Sequence, residues 1–442
     1  MNTPVLPLKA ILSSLEIEYA LAAHNHNGQR LNSRITQALF LDGLKAEQPW
    51  LPAVEGGCFV GNGARIYWDA GAHPEYAAPE CAGHPRELVA QIHAGHAIMS
   101  RIGRRMERDR SVAQVRIWRG NVDYLTGETW GCHENYLTRH STNLLAADLL
   151  PHLVSRVIYG GAGGFSLKTP GRFSLSPRLE QFVLGQSIQT TENRGIINTR
   201  DQSHTDCYNR VHLICRDNLI SQFADMLSIG MTRLVVALAD RRLNTPNRLT
   251  FADEVEALHT FCGDPTCTKR VLTNRGMLSA IDIQRLCIEN IVSHTNDLPD
   301  WCTEIADLCT SVLNELEQDP RQLFGRLDWP TKFMLFEANA KRSREELMMQ
   351  DVILSDLANP LLAELYAQHG GNTVSAPQIS FSIENAPGST RAKIRGRVVK
   401  QLSGQRKTFC WWSGVETPER QLDLREPFET QEKWQAISRI DR

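Results

Sequence analysis

Residues 62–81 read NGARIYWDAGAHPEYAAPEC, and the reading of this stretch decides the fold. Its centre, Arg65-Ile66-Tyr67-Trp68-Asp69, is short, aromatic and β-branched, with Gly61 and Gly63 before it and Gly71 after it. Such a run between glycines predicts a β-strand. Alternate side chains of a strand share a face. Arg65, Tyr67 and Asp69 then point one way, and Ile66 and Trp68 the other. One face carries a cation, a phenol and a carboxylate, while the opposite face suits a core. Just beyond, His73, Pro74, Glu75 and Tyr76 add an imidazole and a second carboxylate in what reads as a loop. Taken alone, a strand with a solvated polar face explains the stretch equally well.

Other segments repeat the pattern. In LEIEY, residues 15–19, Glu16 and Glu18 share one face and Leu15, Ile17 and Tyr19 the other. Two carboxylates about 7 Å apart on one face repel unless they are solvated or share a cation. WGCHENYL, residues 130–137, puts Cys132, Glu134 and Tyr136 together and His133 and Asn135 opposite. Its spacing is not HExxH, which excludes the metalloprotease helix. In YNRVHLI, residues 208–214, Arg210 and His212 share a face, and Asp217-Asn218 closes the strand. A sheet face holding several carboxylates with Arg and His is costly unless something fills it. Mg²⁺ bridges protein carboxylates to phosphates, and arginine pairs phosphate oxygens. The combination describes an ATP site without a P-loop. The glycine run at 160–164 lacks a following Lys-Ser/Thr and reads as a flexible loop.

Composition bounds the rest. The 442 residues suffice for one large or two to three ordinary domains. Hydrophobic residues make up 42% and charged residues 22%, as in ordinary globular chains. The net charge of -2 gives no support for nucleic acid or an anionic membrane as partner. No apolar run approaches the roughly 20 residues that span a bilayer, and the first twenty residues lack the order of a secretion signal. The expected location is cytoplasmic. The 11 cysteines form no CxxC pair, and Cys262 and Cys267 are read as a turn with two incidental thiols. Helices are expected over 33–44, 85–108, 145–157, 219–238, 251–261, 281–294 and 301–317, with another opening at Pro330. The arginine-rich run at 101–110 reads as a solvated helix end. A polar stretch at 369–388 suggests a boundary. The expectation is an α+β protein with a catalytic domain over 1–368. A small β-containing domain follows over 369–442, built from segments 393–399 and 406–412.

The motifs NGARIYWD-x3-HPEY-x3-EC, GCHENYL, IINTRD-x2-H-x-D, the R-x-H strand ending in D-N, LDWP and STRAKIRG stand in this order. Together they resemble the Pup ligase and Pup deamidase/depupylase family across nearly the whole chain. The resemblance implies a glutamine-synthetase-like fold, in which a curved antiparallel sheet packed on helices cradles ATP and Mg²⁺. It assigns Mg²⁺ to Glu16, Tyr67 and Glu75, ATP to Arg65 and Trp411 (with Trp412 adjacent), and the catalytic carboxylate to Asp69. Strand geometry adds Arg210 on the nucleotide side, and Glu18, Glu134 and His212 among the metal candidates. Departures from the family pattern are Ser14 and Ala20 in place of glycines, Ala78 in place of a threonine, and Gln202-Ser203 in place of Glu-Pro.

The resemblance implies one of two reactions. A ligase joins the C-terminal glutamate of a Pup-like modifier to a lysine of a target protein through a γ-glutamyl phosphate. A deamidase/depupylase hydrolyses the terminal amide or the isopeptide bond in the same site. The spacing from Asp69 to His73, the GCHENYL motif and the short segment between Tyr19 and Asn62 favour the ligase. Asn121-Val122-Asp123, the Ala78 to Cys81 run, Arg194 to Ile197 and Leu327 to Pro330 lean to the hydrolase. The catalytic-loop spacing weighs most, because it positions the reacting carboxylate. A ligase joining a small amine to glutamate and a catalytically dead adaptor are the remaining readings.

Overall fold

The computed structural model describes residues 11–243, 248–405 and 407–436. The first ten residues, part of the stretch read for a secretion signal, lie outside them, as does Arg406 at the start of segment 406–412.

Each strand expected from alternation is present: Ser13–Glu18, Arg65–Trp68, Cys132–Thr138 and Asn209–Arg216. The segment taken for a loop after Asp69 is itself a strand, Pro74–Ala77, which pairs with both Arg65–Trp68 and Ser13–Glu18. Among the described residues, nine strands form the main sheet. Their order is Leu184–Ser187, Gly195–Asn198, Asn209–Arg216, Cys132–Thr138, Ser13–Glu18, Pro74–Ala77, Arg65–Trp68, Cys58–Val60 and Trp50–Pro52. All neighbours are antiparallel except the first two. Glu16 lies opposite His133 on one side and Ala77 on the other, and Glu75 lies between Glu18 and Tyr67. Register alone thus gathers the polar residues onto one face.

The other face is the core. Leu15, Ile17, Tyr19, Ile66 and Tyr76 pack with Leu88, Ile92 and Ile98 of the helix Pro85–Met106 and Leu227 and Leu234 of Gln222–Asp240. That second helix is the only described one long and apolar enough to cross a membrane, and all of it is buried in the protein. Gly95 faces Tyr76, where an added Cβ would sit 2.5 Å from the ring. Overpacking such a contact costs about 1–3 kcal/mol. Gly95→Ala is therefore expected to lower the thermal midpoint, measured by circular dichroism, and an unchanged midpoint would show that the sheet and helix separate freely.

The glycine run is buried from Gly161 to Gly164. Gly163, at φ +70°, packs where a Cβ would lie 2.8 Å from the Trp329 backbone. The stretch is therefore a close-packing turn; it is not the flexible loop expected. All 11 cysteines are free thiols, and Cys262 and Cys267 are buried.

Segment 393–399 is helical, inside Ala392–Leu402, because Ile394, Val398 and Val399 form one apolar stripe. With Leu51 and Phe59 of the main sheet and Cys410, Val415 and Leu422 of a small four-stranded sheet, that stripe builds a second core. Val374 and Ile383, in contrast, belong to the first core. The boundary expected at 369 therefore does not coincide with a break in packing. Helices Arg344–Ser355, Leu361–His369 and Ala376–Glu384 and the hairpin Arg270–Thr273/Gly276–Ser279 were not anticipated.

Candidate active site

The polar sheet face brings Glu16, Glu18, Glu75, Tyr67, Arg210 and His212 together, with Asp69 at its rim. His133, which sequence reasoning left without a role, stands among them. Its Nδ1 is 3.5 Å from Glu16 Oε2, and its Nε2 is 4.0 Å from Glu18 Oε1. His212 Nε2 approaches Glu16 Oε2 at 3.7 Å, and Arg210 Nη1 approaches Glu16 Oε1 at 3.8 Å. Arg210 also donates to Asn135 Oδ1 at 3.1 Å. Glu18 accepts from the Gly131 amide at 2.5 Å. The Tyr67 hydroxyl donates to Glu75. Asp69 is held by the turn it opens, accepting from the His73 amide at 2.6 Å with His73 Nδ1 3.3 Å from its other oxygen.

Charge explains the protonation states. For Glu16, burial works against ionisation, but the His133 hydrogen bond and the neighbouring cations prevail and hold the carboxyl well below its ordinary range. Burial, and then the charge of Arg210, hold the His212 imidazole well below its ordinary range. Glu75 goes the other way. Burial, then the charges of Glu16 and Glu18, push it well above the carboxylate range despite the Tyr67 hydrogen bond. Burial also keeps Tyr67 a neutral phenol. The His73 imidazole is raised by its hydrogen bond to Asp69. Four carboxyl groups converge here, and the charges of Glu16, Glu18 and Asp69 all bear on Glu75. Among the described residues, two groups could chelate a cation: Glu16, His133 and His212, and Glu18, Asp69 and His73, each with donor atoms within 4.8 Å of one another. The carboxylate oxygens of Glu16, Glu18 and Asp69 suit a divalent, oxygen-seeking ion; the imidazoles beside them do not select for one.

The structure places two of the assigned residues away from the cleft. Glu134 lies on the core face, fully buried, with Arg156 Nη2 at 2.6 Å and Arg216 Nη1 at 3.2 Å. It cannot reach the cleft, because His133 and Glu134 alternate along the strand and His133 is the one opposite Glu16. The signal was present in the sequence, since Cys132 and Tyr136 share the face of Glu134 and belong to the core. Trp411, on the strand Phe409–Trp411, packs over Gly414. Trp412 instead lines the pocket beside the sheet, together with Ser14, Glu16, Glu80, His204, Arg210 and Arg391. Arg65 occupies the polar face, but its guanidinium is committed to Glu55 Oε2 at 2.9 Å and to the Glu55 and Gly56 carbonyls, and it stacks on Tyr67.

Residues 12–415 match the family model described as Pup-ligase protein. The chain belongs to the Pup-ligase family. Within the family, it is 32% identical to the Pup–protein ligase of Acidimicrobium ferrooxidans, with 87% of this chain and 88% of that one covered. It is 33% identical to the Pup deamidase/depupylase of Mycolicibacterium smegmatis, covering 80% of this chain and 74% of that one. In fold it matches the Pup ligase PafA solved in complex with Pup, with TM-score 0.82, 24% identity, and 96% of this chain and 90% of that chain covered. It also matches PafA solved with ADP, with TM-score 0.74, 24% identity, and 91% and 92% covered. The fold is accordingly the α+β class expected from the sequence, a large sheet packed on helices with a small C-terminal sheet, shared with the Pup ligase PafA.

Aromatic stacking on a nucleic-acid base is worth about 1–3 kcal/mol on truncation. Trp412→Leu is expected to weaken ADP binding by roughly five- to 150-fold on that scale, whereas Trp411→Leu leaves it unchanged. Titration calorimetry distinguishes them, and the reverse ranking would return Trp411 to the nucleotide.

Proposed function

We propose that this chain is an ATP- and Mg²⁺-dependent ligase that joins the C-terminal glutamate of a Pup-like modifier to a lysine of a target protein. The observation carrying this reading is the convergence of Glu16, Glu18 and Asp69 around Glu75 on one wall, beside a pocket lined by Arg210, Arg391 and Trp412. In this reading the modifier's γ-carboxylate oxygen attacks the γ-phosphorus of ATP, and ADP leaves. The lysine amine then attacks the acyl phosphate carbon, phosphate departs, and Asp69 takes the amine proton. Arg210 offsets phosphate charge from the pocket side. Glu16, Glu18 and Glu75 would hold Mg²⁺, which when bound neutralises charge on the transferring phosphoryl group. Tyr67 orients Glu75 through its hydroxyl and remains a phenol. A cytoplasmic location belongs to the same reading, because ATP is an intracellular substrate.

The alternative is hydrolysis of the terminal amide or isopeptide bond. The observation favouring it is the 33% identity to the mycobacterial depupylase. Coverage supports the ligase: the Micrococcus luteus ligase aligns over 94% of this chain and 95% of its own length, against 74% of the depupylase. The deciding experiment mixes purified protein, ATP, Mg²⁺ and a small modifier ending in glutamate. Ligation yields a lysine-linked adduct with ADP release. Cleavage of preformed adducts or deamidation of a terminal glutamine, without adduct formation, overturns the ligase reading.

A further inference from the structure

Arg194 has no part in the reaction described above, and its surroundings set it apart from the other cations of the cleft. It immediately precedes the strand Gly195–Asn198, which pairs with Asn209–Arg216 through Asn198 and His212. Along the sheet, Arg210 is level with Leu137 on the nucleotide side, and Arg216 with Cys132. From Asn198 the strand runs back to Gly195 toward the Arg216 and Cys132 end, where Cys132 lies opposite Ile17, next to Glu18. Thr129 fixes Arg194 there. Its Nη1 donates to Thr129 Oγ1 and its Nε to the Thr190 carbonyl at 3.0 Å. From Thr129 the chain runs directly into residues that touch the acidic wall. The Trp130 ring meets His73 edge-on at 6.1 Å, and the Gly131 amide donates to Glu18.

The Arg194 side chain is half-buried, and its Nη2 has no hydrogen-bond partner among the described residues, nor does any carboxylate among them form an ion pair with it. Burial, then the charge of Arg178, lower its pKa to about 10, while the charge of Glu18 works the other way. The cations elsewhere on the wall are committed, Arg65 to Glu55 and Arg210 to Glu16 and Asn135. A partly desolvated guanidinium without a counter-charge is costly, and an anion that pairs with its fork offsets that cost.

The modifier's terminal glutamate brings two carboxylates. The γ-carboxylate must face the nucleotide and lie within reach of Asp69. The α-carboxylate is three carbons away, roughly 5 Å at full extension, on the side away from the nucleotide. Facing Glu18 and Asp69 alone, it would be repelled. We infer that Arg194 binds the α-carboxylate of the modifier's C-terminal glutamate, and so makes the site select a chain terminus over a glutamate within a chain. The inference rests on the modifier reading above. It holds for either direction of reaction, because a γ-linked adduct keeps its free α-carboxylate. Arg194 meets neither the phosphorus nor the lysine amine, so its loss falls on modifier binding.

The test compares a modifier ending in glutamate with the same modifier ending in glutamate α-carboxamide, whose γ-carboxylate is intact. The wild-type protein is expected to bind the free acid about 10- to 100-fold more tightly in calorimetric titrations with ADP present, the scale for a hydrogen bond between charged groups. The KM for the modifier should show the same ratio, with kcat and the KM for ATP unchanged. Arg194→Gln should bring the affinity for the acid down to that for the amide and leave the amide as it was. Arg194→Lys, which keeps the charge without the fork, should fall between. A wild-type protein that binds acid and amide equally, or an Arg194→Gln variant that weakens both alike, overturns the assignment. Calorimetry reads Arg194 whether or not an adduct forms, so absence of ligation removes the ligase reading alone.

Discussion

Asp69→Asn is expected to reduce turnover by about 10²–10⁴-fold, the range for loss of a general base, while ADP affinity stays at the wild-type value. The carboxylate lies at the rim of the acidic wall, its side chain 17% exposed, open to an incoming amine. Asparagine can still accept the His73 amide hydrogen bond, so the turn from Asp69 to His73 survives. What it cannot do is take a proton. Single-turnover kinetics with ATP, modifier and a lysine substrate, beside calorimetric titration of ADP, separates the two effects. Undiminished turnover would remove Asp69 from the catalytic role. Loss of ADP binding in parallel would make it a structural or metal-holding residue.

The second large effect concerns Glu134. Replacement by alanine leaves Arg156 and Arg216 buried without their shared carboxylate. Burial opposes the charge on both guanidiniums, and Glu134 is the main group that keeps them protonated. Removing one partner of a buried pair costs about 3–5 kcal/mol. Part of the network remains, since Arg216 also pairs with Asp225 and Arg156 donates to Thr232 Oγ1 at 2.7 Å. Glu134→Ala is therefore expected to fold with a markedly lower urea midpoint, or to be recovered only at low temperature. The isosteric Glu134→Gln should be milder, with an unchanged Mg²⁺ dependence of turnover. A variant with wild-type stability and a weakened Mg²⁺ requirement would return Glu134 to the cleft.

These two residues mark where sequence reasoning succeeds and where it stops. Period-two alternation in LEIEY, RIYWD and YNRVHLI was enough to place Glu16, Glu18, Tyr67, Arg210 and His212 on shared faces, because side-chain direction in a strand is a local property. The same rule grouped Glu134 with Cys132 and Tyr136 correctly. It could not say which face of the sheet received them, since that depends on pairing with Ser13–Glu18, more than a hundred residues away. The apolar neighbours pointed to the core, but the carboxylate was read as a ligand.

By itself, then, the sequence determined four strands of the main sheet, the family, the α+β class and most of the acidic wall, all of which follow from local alternation and motif order. Only the tertiary structure decided the rest. It turned the segment after Asp69 into a strand, which places Glu75 between Glu18 and Tyr67. It exchanged Glu134 for His133 at the cleft and Trp411 for Trp412 at the pocket. It also drew Glu80 and Arg395 into one buried pair across 315 residues. Each of these outcomes depends on which distant backbone lies alongside, and therefore on how hydrogen bonding and burial are satisfied across the whole chain at once.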